Sequence, residues 1–406
     1  MMTAPLAGVE IIGNEAMPDT PPPDQIYCDY AATAPLRPEV RETMHQAGQL
    51  PGNPSSIHQS GQVAKVLLER ARQTAADALG AEPREIVFTS GGTEANNTVF
   101  PGLLGSGDHV VTSMTEHPSV QRPLERLEPL GVTVTQVAPQ ANGMIQAGDI
   151  EAALRPNTRL ISVMCVNNET GALADLDALG DVASRHGLLF HTDAVQALGK
   201  TPLDVNRSGI HFLSASAHKI GGPKGTGLLY ARKGTPFHNL IAGGSQENSH
   251  RGGTENVAGI AGFARAIEIA TAEYGELHSR LIGFRKILLG DLDDGNLSYN
   301  VNGTGTIPGI VNLQFPGVNG QALVMNLDGR GYAVSYGSSC ASGSSEASHV
   351  LLAMGLTQAE ATSAIRVSFG YATTREEVLG VAAALGDIVG KLQSDSLHAG
   401  KEATVE

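Results

Sequence analysis

Short apolar runs alternate with stretches of helical periodicity over the first two thirds of the chain. The runs are apolar on both faces and too short for helices, so they predict buried β-strands at residues 86–89, 109–113, 132–137, 160–166, 188–192, 212–214 and 227–231. Between them, apolar residues recur every three or four positions, as in the helix predicted over residues 61–79 before Gly80. Strands separated by helices predict an α/β fold with a mainly parallel seven-stranded sheet covered on both sides.

A second structural unit is predicted after the long helical stretch that begins near Asn256. We expect its strands near residues 310–315, 333–335 and 365–368, and its helices at residues 321–327, 348–354 and 375–392. Residues 1–24 are rich in proline and have little apolar periodicity, so they predict a flexible extension.

Composition and charge narrow the class of function. The chain has 406 residues and a net charge of −14, and an acidic excess disfavours direct binding to nucleic acid. Its three cysteines lack the Cys-x-x-Cys spacing of metal sites, so we expect no metal. We find neither a signal-peptide pattern nor an apolar run of membrane-spanning length, which favours a cytoplasmic protein without a membrane partner.

The strongest candidate for chemistry is Lys219, which follows the predicted strand at residues 212–214 and a run of small residues. A lysine is usually a solvated surface cation, but a desolvated lysine amine forms Schiff bases with carbonyls. Asp193 ends the preceding predicted strand, and the segment around Gly92 opens a helix whose amides can bind an anion. An anion site, a carboxylate and a lysine, in this order along the chain, predict a binding site for pyridoxal 5'-phosphate.

Several sequence motifs, taken together, resemble those of a known family. They are residues 27–33 (YCDYAAT), 52–58 (GNPSSIH), 89–97 (TSGGTEANN), 116–118 (EHP), 167–171 (NNETG), 193–196 (DAVQ), 216–219 (SAHK), 251–256 (RGGTEN) and 337–343 (GSSCASG). Over roughly residues 25–390, the chain resembles the NifS/IscS-type cysteine desulfurases, which are fold-type I pyridoxal-phosphate enzymes of the class-V aminotransferase family.

The resemblance implies a domain division and a set of cofactor contacts. We expect a large cofactor-binding domain at residues 41–276, a small α/β domain built from both chain ends at residues 25–40 and 277–392, and a polar tail at residues 393–406. Lys219 would be both anchor and catalytic base, and Asp193 would face the ring nitrogen. The other implied contacts are His117 stacked on the ring and relaying protons, Asn168 at the ring or substrate, Gln196 at the phenolate oxygen, and Gly92, Thr93, Ser216 and His218 at the phosphate.

Two further residues bear on the substrate and the assembly. The resemblance implies that Thr254 reaches the phosphate of the other subunit, and hence a homodimer with shared sites. Arg366 places a charge in an otherwise apolar predicted strand and therefore needs a partner. We expect that partner to be the α-carboxylate of the substrate, with an internal salt bridge as the alternative.

Cys340 differs from the other two cysteines in its surroundings. Cys28 and Cys165 lie in apolar runs and are expected to be buried, whereas glycine and serine surround Cys340 and predict a flexible exposed loop. A thiolate on such a loop can take sulfur from a substrate and carry it to another protein, such as an iron–sulfur scaffold. Ser339 stands where the family usually has alanine, and Ala347 stands where it often has proline, so the stiffness of the loop and its preferred acceptor stay open.

The predicted function is therefore an L-cysteine desulfurase, with Lys219, Cys340 and His117 as catalytic residues. The alternatives are a selenocysteine lyase, another fold-type I enzyme such as an aminotransferase, or a scaffold that keeps the fold without the reaction. Cys340 argues against an aminotransferase, because transamination needs no second nucleophile.

Overall fold

The computed structural model describes residues 25–337 and 347–402, with side chains up to Gln393. Within this part of the chain the α-helices are α1 (Pro38–Gly48), α2 (Gln59–Leu79), α3 (Gly92–Leu103), α4 (Pro118–Leu127), α5 (Ala147–Ala152), α6 (Leu176–Arg185), α7 (Val257–Asp294), α8 (Gly320–Asp328), α9 (His349–Ala353), α10 (Gln358–Thr362) and α11 (Arg375–Glu402). The strands are β1 (Ile26–Tyr27), β2 (Ile86–Thr89), β3 (His109–Ser113), β4 (Thr133–Val137), β5 (Thr158–Ser162), β6 (Leu189–Asp193), β7 (Phe212–Ser216), β8 (Gly227–Ala231), β9 (Asn300–Asn302), β10 (Ile310–Gln314), β11 (Tyr332–Ala333) and β12 (Ala364–Ser368).

A seven-stranded sheet forms the centre of the larger core, in the order β2-β8-β7-β6-β5-β3-β4. The strands from β7 to β4 pair in parallel, while β8 pairs antiparallel with both β7 and β2. Every residue of β2, β3, β7 and β8 is buried, as expected for strands that are apolar on both faces. The mainly parallel α/β sheet is thus confirmed.

One strand ends earlier than its apolar pattern predicts. β5 stops at Ser162, so the prediction that Cys165 lies within a strand is wrong, although the side chain is buried at 2% exposure. The reason lies in the neighbouring strand, because β3 has already ended at Ser113. The N–H of Met164 donates instead to Oε1 of Glu116 at 2.9 Å. A side-chain carboxylate therefore replaces the next bond toward β3, while Val163 and Cys165 still donate to the carbonyl oxygens of His191 and Asp193 at 3.2 and 2.9 Å.

A second, smaller core contains residues from both ends of the described chain. β12, β10 and β9 form an antiparallel sheet, and β1 pairs in parallel with β11. Cys28 is fully buried in this core with side chains of β10, β12, α8 and α11. The helix α7 connects the cores: its first part packs in the larger one, and Phe284, Leu288 and Leu292 pack in the smaller one. Among the described residues, none of the helices has the length and apolar character to cross a membrane.

Two predictions of local structure need correction in this core. β9 was not predicted, because only Val301 of its three residues is apolar. α11 runs to Glu402 rather than ending at Leu392, since the sequence beyond Leu392 is polar but contains no proline to stop a helix.

The loop before α7 is held by a buried ion pair. Glu247 is 4% exposed and accepts bonds from both terminal nitrogens of Arg72, at 2.7 and 2.9 Å, and from the N–H of Phe88 at 2.8 Å. Glu247, Asn248 and Ser249 adopt φ values of 47°, 55° and 67° in succession. Side chains with a Cβ are disfavoured in this left-handed region, so the ion pair stabilises a turn that the backbone alone would avoid.

We expect Arg72→Met to lower the free energy of unfolding of the cofactor-free protein by about 3–5 kcal/mol, because Glu247 would remain buried without a countercharge. Urea denaturation followed by circular dichroism measures this loss. Arg84→Met is the matched control, because Arg84 pairs with Glu82 on the surface. This change should lower the free energy of unfolding by less than about 1 kcal/mol. Equal losses for the two variants would contradict the role given to the buried pair.

Candidate active site

A cavity of about 250 Å³ lies at the carboxyl ends of the central strands, the edge at which parallel sheets commonly bind ligands. Residues from six separate stretches of the chain line it. The predicted site residues among them are Gly92, Thr93, His117, Asn168, Asp193, Gln196, Ser216, His218 and Lys219. Motifs that lie far apart in the sequence therefore meet at one place.

Lys219 ends a short 3₁₀ turn directly after β7, and its amine is held by backbone carbonyls. Nζ donates to the carbonyl oxygens of Ala31 at 2.7 Å and Ala32 at 2.6 Å. Nε2 of Gln196 donates to the same Ala31 oxygen at 2.7 Å, and Oε1 of Gln196 accepts from Nζ of Lys200 at 2.8 Å. Burial, followed by the charge of Lys219, lowers the pKa of Lys200 to about 7. Lys219 and Gln196 thus share the carbonyl of Ala31, while Lys200 donates to the other end of the Gln196 amide.

Asp193 ends β6 and is fixed on both carboxylate oxygens. Oδ1 accepts from the N–H of Val195 at 2.9 Å, and Oδ2 accepts from Nδ2 of Asn96 at 2.7 Å. Nδ2 of Asn96 also donates to Oγ of Ser119 at 2.9 Å. Asn96 is fully buried on α3, and no functional role was predicted for it or for Ser119. The only sequence signal was that Asn96 belongs to the TSGGTEANN motif.

His117 caps α4 and is joined to the same network. Ser119 donates its N–H to Nδ1 of His117 at 3.1 Å, and its Oγ lies 2.7 Å from that nitrogen. Nδ1 is therefore an acceptor, so the ring proton of the neutral imidazole lies on Nε2. Burial lowers the pKa of His117, and the positive charge of Lys219 adds to this, whereas Asp193 opposes it. The ring is thus kept neutral next to a carboxylate and an amine.

The amino end of α3 lies at the cavity, which Gly92 and Thr93 line. α3 begins at Gly92, where the first amides of a helix have no partner within the helix. A Cβ at Gly92 would lie 2.4 Å from Cγ2 of Val195, so this approach admits only glycine. Nδ1 of His218 lies 3.1 Å from Oγ1 of Thr33, and burial together with Lys219 lowers the pKa of His218 to about 4. Lys224 lies at the same end and supplies a positive charge.

This donor set fits pyridoxal phosphate. Free amides, hydroxyls and a lysine at the mouth suit the phosphate, an amine inside the cavity suits the aldehyde, and the fixed carboxylate of Asp193 suits a protonated ring nitrogen. In the described part of the chain, we find no group of histidine, cysteine and carboxylate side chains that could hold a metal ion.

Arg366 borders the cavity without lining it. Its side chain is 1% exposed and donates to the carbonyl of Asn168 at 2.8 Å and to Oδ1 of Asp29 at 2.7 Å. The internal salt bridge that was the alternative for this residue is therefore present. Nε of Arg366 has no partner among the described residues, so the guanidinium keeps a donor in addition to those two bonds.

The remaining predicted residues lie elsewhere. Thr254 is exposed and does not line the cavity, and its loop is attached to α3 through Nε of Arg251, which donates to Oε1 of Glu94 at 3.0 Å. Cys340 and the loop predicted around it lie outside the described residues. Cys28 and Cys165 are buried as predicted, and burial raises the pKa of each thiol to about 12.

Comparisons with known proteins identify the family. Residues 26–381 match the family model for aminotransferase class-V. The cysteine desulfurase IscS of Dictyoglomus turgidum is 42% identical over 379 residues, covering 92% of this chain and 96% of that protein. A solved NifS-like protein superimposes with a TM-score of 0.84 at 33% identity, covering 90% of this chain and 99% of that one. The structure of SspA in complex with cysteine gives a TM-score of 0.75 at 36% identity, covering 85% and 98%. The chain therefore belongs to the class-V aminotransferase family and, within it, to the NifS/IscS-like cysteine desulfurases, which depend on pyridoxal phosphate.

Proposed function

We propose that the protein is an L-cysteine desulfurase that converts L-cysteine to L-alanine and transfers the sulfur to Cys340 and then to an acceptor protein. The observation that carries the proposal is the meeting of Lys219, Asp193 and His117 in one cavity from three different strand ends. The relative from Dictyoglomus turgidum named as a cysteine desulfurase and the SspA structure with bound cysteine support this substrate.

The lining residues would hold the cofactor by its two ends. The amides at Gly92 and Thr93, the hydroxyl of Ser216 and the ring of His218 would bind the phosphate, and Asp193 would accept a bond from the ring nitrogen. Gln196 would donate to the ring oxygen through the second proton of its amide nitrogen, because its Oε1 accepts from Lys200 and the first amide proton is bonded to the carbonyl of Ala31. When bound, pyridoxal phosphate supplies a ring that withdraws electrons from the α-carbon of the substrate.

Lys219 would act as the base at that carbon. Its amine takes the α-proton and becomes an ammonium, and the carbonyls of Ala31 and Ala32 stabilise this charged form. His117, whose ring proton lies on Nε2, would donate that proton within the cavity and take one back later in the cycle. Arg366 would bind the substrate carboxylate when the substrate replaces one of its present acceptors, Asp29 or the carbonyl of Asn168, because its unpartnered Nε is buried.

The sulfur transfer itself would need a second nucleophile. The thiolate of Cys340 attacks the substrate sulfur, so that a sulfur–sulfur bond forms as the carbon–sulfur bond breaks. The carbon keeps the electron pair of the broken bond and takes up a proton, which yields alanine and a persulfide on Cys340. An acceptor protein, such as an iron–sulfur scaffold, then receives the outer sulfur.

We further propose a cytoplasmic homodimer in which Thr254 contributes to the phosphate site of the partner. Thr254 is exposed on its own chain, and the Arg251–Glu94 pair attaches its loop to α3, whose amino end would bind the phosphate. Ile57 is 95% exposed, and Val63 and Val66 on α2 are about half exposed, so the described chain has apolar surface that a second copy would cover.

The proposal is tested by incubating the purified protein with the cofactor, a thiol reductant and L-cysteine, and by measuring alanine and sulfide together. We expect the two products in equal amounts. Selenocysteine in place of cysteine separates a desulfurase from a selenocysteine lyase. Formation of a keto acid in the presence of an amino acceptor, with no sulfide, would instead indicate an aminotransferase.

Asp193→Ala is expected to weaken cofactor binding and to slow removal of the α-proton by about 100-fold or more, because the ring nitrogen would lose the carboxylate that keeps it protonated. Exchange of the α-proton in deuterated water, followed by NMR, measures this step without the sulfur transfer. Asp204→Ala is the matched control, since Asp204 lies in an exposed turn away from the cavity. If Asp193→Ala exchanged the α-proton at the wild-type rate, the role assigned to Asp193 would be wrong.

A further inference from the structure

Two residues that follow the Cys340 segment join α9 to buried residues beside the cavity. Ser348 caps α9, where its Oγ accepts from the N–H of Leu351 at 3.2 Å and donates to Oε2 of Glu169. His349 is the first residue of α9, and its Nε2 donates to the carbonyl oxygen of Glu116 at 3.0 Å. We call Ser348 and His349, with these two bonds, the anchor.

The anchor touches the residues next to two predicted site residues. Glu169 directly follows Asn168, and Glu116 directly precedes His117. Both acidic residues are buried, at 1% and 0% exposure. The other carboxylate oxygen of Glu169 has no partner among the described residues, so the hydroxyl of Ser348 is an important donor to that group.

The acceptor of His349 is itself rigid. Oε1 of Glu116 accepts from Oγ of Ser113 at 2.6 Å and from the N–H of Met164 at 2.9 Å. On the other side, α9 is packed through Val350 and Leu351 in a small apolar cluster. The anchor therefore adds two polar bonds between well-packed parts of the molecule.

We propose that Ser348 and His349 are positioning residues that fix the second end of the segment from which Cys340 delivers its thiol. The inference rests on the proposed role of Cys340 and deepens it. Cys340 lies three residues after Gly337 and eight residues before Ser348, so Gly337 limits its reach to about 11 Å and the anchor restricts the segment from the other end. A tether with a fixed end keeps the effective concentration of its nucleophile high, and a small misplacement of a reacting group costs a large factor in rate.

The variants are chosen to separate the anchor from the helix cap. Ser348→Asp keeps a good capping residue for α9 but places a second carboxylate against Glu169. His349→Phe keeps an aromatic ring and removes the donor to Glu116. Thr357→Ala is the matched control, because Thr357 caps α10 and bonds only within that turn, to Glu360.

The first measurement is limited proteolysis of the cofactor-free protein with a glutamyl endopeptidase. The bond after Glu346 lies two residues before Ser348, so the anchor must open before the protease can bind the chain on both sides of that bond. Losing a hydrogen bond of ordinary strength shifts such an opening by about tenfold, so we expect Ser348→Asp and His349→Phe to be cut about tenfold faster than wild type. Thr357→Ala should be cut at the wild-type rate. Equal cleavage of wild type and both anchor variants would overturn the inference.

The second measurement is kinetic and uses the enzyme with its cofactor. At saturating cysteine we expect kcat for alanine formation to fall about tenfold in Ser348→Asp and His349→Phe, while KM for cysteine, the cofactor dissociation constant and the cofactor absorption spectrum stay unchanged. If the two residues had only a structural role, their replacement would weaken cofactor binding as well as lower kcat. That result would also overturn the inference. If wild type formed no alanine from cysteine, the proposed function would fail; if it did and the variants matched it, only the anchor would fail.

Discussion

Lys219→Ala is expected to give a folded protein that forms no measurable alanine from cysteine. The amine is the only group of this residue that can bind the cofactor covalently and remove the α-proton, and loss of a general base alone costs about 100-fold to 10,000-fold. The variant also loses the covalent bond between Lys219 and the cofactor, so we expect the turnover rate to fall by more than about 1,000-fold. Alanine release measures turnover, and circular dichroism and gel filtration show whether the fold and assembly are kept.

A small primary amine tests the chemistry of this loss directly. Methylamine added to Lys219→Ala should restore part of the α-proton exchange, because it can enter the space left by the side chain and act as the base. Lys233→Ala is the control, since Lys233 is exposed and remote from the cavity. Full activity in Lys219→Ala would contradict the assignment and would make Lys200, whose pKa is lowered to about 7, the next candidate for the base.

The strands could be predicted where side-chain chemistry alone decides the local structure. β2, β3 and β8 begin and end where the sequence predicts, because each is apolar on both faces and is followed by polar or turn-forming residues. β5 shows the limit of that reasoning. Its apolar run continues to residue 166, but β5 ends at Ser162, where a carboxylate 48 residues earlier accepts the N–H of Met164 in place of a bond to β3, although Val163 and Cys165 still donate to the backbone of β6. A hydrogen-bond partner that distant in sequence does not change the local pattern of apolar residues.

The site residues could be located by motif, but their partners could not. Asp193 was predicted from its position at a strand end, whereas Asn96, which holds its carboxylate, is separated from it by 97 residues. The carbonyl of Ala31 that accepts from Lys219 lies 188 residues away, and a backbone carbonyl carries no sequence signal at all. Arg366 was correctly predicted to need a partner, but Asp29 could not be chosen over a substrate carboxylate without the fold.

Cys340→Ser is expected to bind the cofactor and cysteine normally and yet to transfer no sulfur. A serine hydroxyl is almost wholly protonated at neutral pH, whereas a thiol with an ordinary pKa of about 8.5 supplies some thiolate even before any local effect. The protein holds no substitute, because Cys28 and Cys165 are 0% and 2% exposed and burial raises the pKa of each to about 12. The change therefore removes the sulfur carrier without touching the residues that line the cavity.

Mass spectrometry after treatment with cysteine separates this prediction from a general loss of activity. In wild type, one or more added sulfur atoms should be found on the peptide that contains Cys340, and on neither of the peptides with Cys28 and Cys165. The serine variant should carry none, while its α-proton exchange continues, because that step needs Lys219 and Asp193 but no thiol. Ser339→Ala is the matched control in the same segment, since the family usually has alanine there, and it should form the persulfide at the wild-type rate. A persulfide on another cysteine, or sulfide release by Cys340→Ser at the normal rate, would place the sulfur carrier elsewhere.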